Sequence, residues 1–239
     1  MRTDAVVIAV HPLREHDAQI LCYSRQSGRI VAIARGMRTP RSTQAMHLDQ
    51  LNLVSFELVY GRGIPIITAA QTEQFWPATK RTPARFAAAS FFCEVIRTMV
   101  MDQERDDRLW EFLTGTLGEF ERTVLDDILT VFRRRQMELL DILGYAPQLA
   151  SCALCGGSGS GGWSFSVPLA SVICRFCTGQ VVTETTLSDQ DILFFTGQAP
   201  EAPCARRSGT SVLDGLFEYI AQRRFVSPPT LYSALSSGL

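Results

Sequence analysis

The chain has 239 residues, 46 % of them apolar and 20 % charged, with a formal net charge of −1. That composition supports a sizeable core and one or two domains, and it excludes a collagen-like, disordered or uniformly basic nucleic-acid-coating protein. No apolar run reaches the length of a membrane-spanning helix, and the opening Met-Arg-Thr-Asp lacks the apolar core of a signal peptide, so the expectation is a reducing cytoplasm without membrane partners. Charge is unevenly spread: residues 1–80 carry nine basic and six acidic side chains, residues 81–150 nine and twelve. All three histidines fall in the first segment, and Lys80 is the one lysine among 23 basic residues.

Residues 4–73 read as β structure. Asp4–Val10 is a β-branched run closed by His11-Pro12, and Gln19–Arg25 and Arg29–Arg35 flank a Gln-Ser-Gly hairpin loop. Leu51–Tyr60 alternates and stops at Gly61-Arg62-Gly63, after which Ile64–Glu73 resumes. Five strands in about seventy residues predict a small, strongly bent barrel of the OB type. From Thr82 the period becomes helical. Thr82-Pro83 predicts a capped start, and Ala88, Phe91/Phe92, Val95 and Met99 form the first stripe. Leu109, Phe112/Leu113, Leu117 and Phe120 mark a second helix. Leu125, Ile128/Leu129, Phe132, Leu139/Leu140 and Leu143 mark a third, stopped at Gly144. The stripes are expected to be core. The fold class is therefore α+β, with a barrel over 1–80 and a helical domain over 81–239.

A cysteine module at 150–182 interrupts the helices. Cys152-Ala-Leu-Cys155 and Cys174-Arg-Phe-Cys177 are separated by eighteen residues, the spacing of a four-thiolate zinc site. Two residues between cysteines place both sulfurs on one side of a tight turn, and Gly156 and Gly179 suit turns that need φ > 0. Two disulfides or a redox pair are the competing readings, disfavoured in a long chain otherwise poor in cysteine. A filled Cys₄ shell leaves no open coordination position, so one zinc per chain would be structural. Cys22, Cys93 and Cys204 read as free core or half-buried thiols. The Gly/Ser run at 156–162 reads as a mobile loop, and Trp163–Val167 as a strand. A Ser188-capped helix follows, then a loop over 197–209 and a last helix ended by Pro228-Pro229, with a frayed tail from Ser233.

Arg14, Arg25, Arg29, Arg35, Arg38 and Arg41 gather in the barrel segment. Guanidinium forks match phosphate oxygens bidentately, and an OB barrel with a basic face is a recurrent single-strand platform, although a merely solvated polar face fits the same composition. Tyr23 is the one obvious stacking aromatic in that stretch, which favours phosphate contact and little sequence preference. No Walker loop, Gly-x-Ser-x-Gly or His-Glu-x-x-His is present, and His11, Glu15, His16 and Asp17 read as a solvated turn, so no enzyme is expected.

His11-Pro-Leu-Arg-Glu-His-Asp17, Ser24-Arg-x-x-Gly-Arg29 and Ala34-Arg-Gly-Met-Arg-x-Pro-Arg-Ser42 resemble the N-terminal barrel of the bacterial RecO family of DNA repair proteins. Glu138-Leu-Leu-Asp-Ile-Leu-Gly-Tyr-Ala-Pro147 followed by Cys-x-x-Cys-Gly resembles its helical part. The resemblance covers most of the chain in the same order; the last fifty residues match in pattern only. It implies a non-enzymatic recombination mediator that binds single- and double-stranded DNA and anneals complementary strands. It also implies engagement of the tail of single-stranded-DNA-binding protein and, with RecR, help in loading RecA, with RecF a further candidate partner. The six barrel arginines map onto the family's basic positions. Phe132, Arg133, Arg134, Arg135 and Leu139 are the positional candidates for the acidic-hydrophobic tail, and a cytoplasmic, nucleoid-associated location follows. The reading from a different class is a zinc-containing OB-fold protein that binds RNA or the ribosome; a zinc hydrolase is remote.

Overall fold

A computed structural model describes residues 1–158, 162–200 and 211–237. They form two compact units, Met1–Arg122 and Thr123–Leu239.

The first unit is built on five strands, β1 (Arg2–Pro12), β2 (Ala18–Ser24), β3 (Gly28–Ala34), β4 (Leu53–Val59) and β5 (Ile66–Gln74). They close into a barrel in the order β1-β2-β3-β5-β4, the OB arrangement. β1 pairs with β4 through Arg2–Val6 and with β2 through Ala5–Pro12, with a register shift between Val7 and Ala9 that lets one strand bend from one neighbour to the other. Parallel pairing of Ile33 with Ile66 and Ala34 with Ile67 completes closure, so no long edge is left open. Alternation decides the faces. On β3, Ile30, Ala32 and Ala34 enter a core with Val7, Ile20, Phe56 and Ile67, while Arg29, Val31 and Ile33 face outward.

Three helices, α1 (Pro77–Arg81), α2 (Pro83–Met99) and α3 (Asp107–Arg122), complete this unit. The compact unit runs to Arg122, because these helices hold on to the barrel. Arg29 Nε donates to Asp102 Oδ1 at 2.8 Å and its Nη1 to the Arg97 carbonyl. Lys80 Nζ reaches Asp49 Oδ2 and Asn52 Oδ1 at 2.6 and 2.7 Å. Gly28, at φ +64°, lies so near the α2–α3 connection that a Cβ there would sit 2.1 Å from the Glu104 carbonyl oxygen. Phe92 packs against Phe91, Phe112 and Phe120 with centroids 5.3 to 6.0 Å apart.

The α2 start is not capped by the Thr82 hydroxyl as expected: α1 runs up to it, and Pro83 fixes the first turn instead. The α1 N-terminus is capped from outside, by Glu121, whose two carboxylate oxygens accept from the Ala78 and Thr79 N–H groups at 3.0 and 2.9 Å. Burial pushes the Glu121 carboxyl up, but these donors outweigh it and its pKa lies below the usual value. A depressed folded-state pKa stabilises above the unfolded value and is lost as pH falls through the folded one. Glu121→Gln should therefore lower the melting temperature at pH 7, and the gap to the parent should close as pH falls below about 4. A gap of constant size across a pH series of melting curves would remove the charge from the explanation.

The second unit opens with a 3₁₀ turn (Leu125–Asp127) and α4 (Ile128–Ile142), which stops at Gly144 with φ +78°, as expected. A three-stranded sheet follows, β6 (Trp163–Ser166), β7 (Ser171–Cys174) and β8 (Thr185–Leu187), in the order β7-β6-β8. Helices α5 (Asp189–Phe195), α6 (Val212–Ala221) and α7 (Ser227–Ser236) close the unit. Ser188 caps α5 through a capping box with Asp191, as predicted, and Ser211 with Asp214 repeats the device on α6. Pro228-Pro229 does not end the last helix. α6 stops at left-handed Gln222, φ +52°, and the prolines open α7, where a missing N–H costs nothing. The tail is helical through Ser236, because Tyr232 is buried and bonded. Cys22 and Cys93 are buried thiols; Cys204, most of the 197–209 loop and part of the Gly/Ser run lie outside the described residues. Among the described residues no helix is long and apolar enough to cross a membrane.

Candidate nucleic-acid interface and metal centre

The six barrel arginines separate into two groups. Arg14 lies in the β1–β2 turn, and Arg35, Arg38 and Arg41 follow β3. The register Pro12↔Ala18↔Ala34 brings these two segments to one end of the barrel. All four side chains are exposed. Side-chain and backbone bonds fix the segments to each other. Asp17 Oδ1 accepts from the Gly36 N–H at 2.9 Å, Arg38 N–H donates to the His16 carbonyl at 2.9 Å, and Arg38 Nη1 donates to the Arg14 and Glu15 carbonyls at 3.0 and 3.4 Å. Arg38 is thus both a charge and a clamp. Arg25 is exposed but sits in the β2–β3 hairpin, at the far end of a seven-residue strand, about 20 Å away. Arg29, expected beside Arg35 on the same face, shares its parity but is engaged by Asp102 and the Arg97 carbonyl, with its side chain 19 % exposed.

Tyr23 does not offer a stacking face. It is fully buried, its hydroxyl donates to the Asp106 carbonyl at 3.3 Å and accepts from the Asp106 N–H at 3.2 Å, and burial pushes its pKa up to about 12. Its side chain lies on the outer row of β2 with Gln19 and Leu21, opposite the core row of Ala18, Ile20 and Cys22, and the bonds to Asp106 beyond α2 close it off from solvent. Tyr60 and Phe75 are exposed aromatics of this unit, and Tyr60 is followed by exposed Arg62 in a segment whose glycines predict only a turn.

The Arg133–Arg135 triplet also divides. Phe132, Arg133 and Leu139 are wholly buried. Arg133 Nη1 donates to Asp214 Oδ1 and Gln136 Oε1, both at 2.9 Å, and its Nη2 to the Tyr232 hydroxyl at 2.6 Å. Asp214 further accepts from Gln136 Nε2 at 2.8 Å, from the Tyr232 hydroxyl and from the Ser211 N–H at 3.0 Å. This charge is a tie between α4, α6 and α7. Arg134 is exposed, and Arg135 pairs with Glu138 at 2.6 Å. The signal for Arg133 is periodic: Leu129, Arg133, Gln136 and Leu140 share one helical stripe.

The four cysteines of the module converge. Two knuckles hold them: Gly156 N–H bonds the Cys152 carbonyl at 2.9 Å, and the Cys177 and Thr178 N–H groups bond the Cys174 carbonyl at 3.0 Å. Gly156 and Gly179 take φ of +70° and +99°, as the turns require. All four sulfurs lie within 4.8 Å of one another, with Cys155 and Cys174 at 3.7 Å. A tetrahedral ion with metal–sulfur bonds of about 2.3 Å wants edges of about 3.8 Å, so the set fits such an ion. Cys152, Cys174 and Cys177 are buried and Cys155 is exposed. Burial raises the Cys152 thiol pKa, yet the N–H groups of Cys174, Cys155 and Leu154 outweigh it and bring the value to about 6. Burial and the neighbouring sulfurs push Cys177 up to about 12. Four thiolates held this close would repel one another, and a bound cation would offset that repulsion. Among the described residues this is the one group of three or more His, Cys, Asp or Glu side chains able to hold a metal.

Comparison with known proteins covers both units. The family model described as Recombination protein O N terminal matches residues 1–76, and Recombination protein O C terminal matches residues 80–209. The chain is similar to "DNA repair protein RecO" of Cutibacterium acnes, 32 % identical over 186 residues, covering 74 % of this chain and 73 % of that one. Similar relatives of the same name occur in Symbiobacterium thermophilum, at 27 % identity over 74 % of this chain and 71 % of that one, and in a Roseiflexus species, at 25 % over 93 % and 81 %.

Proposed function

The chain belongs to the RecO family, and so to DNA repair by recombination, and on that premise we propose that it is a non-enzymatic mediator whose barrel binds DNA through phosphates. The observation that carries this reading is the set of four exposed arginines, Arg14, Arg35, Arg38 and Arg41, held at one barrel end by the Asp17–Gly36 and Arg38–carbonyl bonds. Phosphate contacts of this kind favour single and double strands alike, and a protein that neutralises two strands at once lowers their mutual repulsion and promotes annealing. Arg25 extends the basic surface from the hairpin end. The four-cysteine set holds one structural zinc, whose closed shell supplies folding energy and no chemistry. Loading of RecA on coated strands would draw on RecR, with RecF as a further partner. For the acidic tail of single-strand-binding protein, α4 offers Arg134 and Arg135, while Arg133, Phe132 and Leu139 serve the interior.

Salt dependence tests the barrel. Arg38 also clamps the β1–β2 turn, so the informative double variant is Arg35→Ala with Arg41→Ala. Each phosphate contact on a single strand contributes about 0.7 to the slope of log affinity against log salt, so the double variant should flatten it by about 1.4. Affinity should fall about equally on all sequences, since phosphates carry no base identity. An unaltered slope in a normally melting protein would move the DNA off this end of the barrel.

A further inference from the structure

The outer face of β3 and the β4–β5 turn border a groove of about 660 Å³, lined among others by Arg29, Val31, Tyr60, Ile64, Asp102 and Gln103. Tyr60 stands 56 % exposed at its edge and Ile64 46 %. The turn reads Tyr60-Gly61-Arg62-Gly63, exposed throughout, and a Cβ at either glycine would meet nothing within 4 Å, so a ligand can approach the backbone. The opposite rim is polar. Arg29 and Asp102 are paired there, and Gln103 is held at φ +62° with its N–H on the Arg29 carbonyl at 3.0 Å.

We propose that this groove is a nucleobase-stacking subsite that selects single-stranded nucleic acid over duplex. Tyr60 supplies a ring face for one unstacked base, and Arg62, two residues on, supplies a guanidinium for an adjacent phosphate. A base inside a duplex has no free face to offer, so the interaction belongs to the single strand alone. The proposal rests on the reading of the barrel as a DNA-binding surface, and it is continuous with it. The outward row of β3 runs from Arg29 and Val31 at the groove through Ile33, paired with Ile66, to Arg35 at the basic end. The continuity of this row with the basic barrel end favours nucleic acid over a protein partner, which the test treats as the alternative occupant.

The test uses the full-length, zinc-loaded protein with a labelled oligothymidylate and a blunt duplex of equal length. Tyr60→Ala should weaken oligothymidylate binding on the order of ten-fold, leaving duplex affinity and the salt slope of both unchanged. Tyr60→Phe, which keeps the ring and loses only the hydroxyl that contacts Met1 Sδ at 3.8 Å, should bind as the parent does. Equal losses on both DNAs overturn the proposal, because stacking cannot weaken a duplex contact. Unchanged oligothymidylate binding also overturns it and leaves the turn as a protein-docking surface. The Arg35→Ala, Arg41→Ala variant runs alongside. A flattened slope there with an inert Tyr60→Ala condemns the stacking subsite alone, whereas an unaltered slope with a selective Tyr60→Ala loss condemns the phosphate reading alone.

Discussion

Cys174→Ser should abolish the proposed zinc binding and unfold the module around the four cysteines, leaving the barrel intact. The strands β6, β7 and β8 are four, four and three residues long, too short to hold together by pairing alone. Buried Trp163, Phe165 and Val172 share one face of this sheet with Cys174, through the registers Trp163↔Cys174 and Phe165↔Val172, so closing the four-cysteine site and burying that face should be coupled. Apparent binding energies of structural zinc, roughly 10–16 kcal/mol in isolated fingers, set the upper scale of what is lost. The measurable outcome is a fall from one zinc per chain to near none, loss of amide protection in the two knuckles and in β6, β7 and β8, and an unchanged salt slope for DNA binding. A variant that keeps a full equivalent of metal and the parent melting curve would show that Cys174 is no ligand.

Arg133→Met should cost about 3–5 kcal/mol, the usual penalty for stranding one member of a buried ion pair. Asp214 would lose its charged partner while remaining 2 % exposed at the N-terminus of α6, and Tyr232 and Gln136 would each lose a bond. The thermal midpoint should drop by roughly 10 °C. The double variant Arg133→Met, Asp214→Leu separates charge from packing, and it should recover part of the loss because neither charge is then left alone in the interior. Arg134→Met, one residue on and exposed, should melt within about 1 °C of the parent. Equal destabilisation at both positions would deny that Arg133 is the interior tie.

The barrel and the cysteine module are legible in the order of residues alone. Five β-type segments, a Gly hairpin and the turn glycines specify the strands because backbone preference and turn chemistry are local, and observed strand limits differ from the expected ones by about one or two residues. Two Cys-x-x-Cys pairs specify a four-sulfur site because each knuckle is a local turn, leaving only the convergence of the two to be shown. The capping box at Ser188 is likewise visible, since all its atoms come from four consecutive residues.

What stays hidden depends on partners far along the chain. Arg29 and Arg35 look alike in sequence, yet Arg29 meets Asp102, 73 positions away, and Arg35 remains exposed. Arg133, Arg134 and Arg135 form one basic run, and only the approach of Asp214 and Tyr232, 81 and 99 positions on, makes the first of them interior. Tyr23, expected to offer a stacking face, is bonded instead to the distant Asp106, while Tyr60 is left at the mouth of a groove. Local pattern by itself determined which residues form strands, helices and knuckles, since backbone preference and side-chain period act over a few residues. Which charges are taken up inside each unit, and which stay exposed, was decided by tertiary structure alone, because burying a charge requires a partner that only the folded chain brings near.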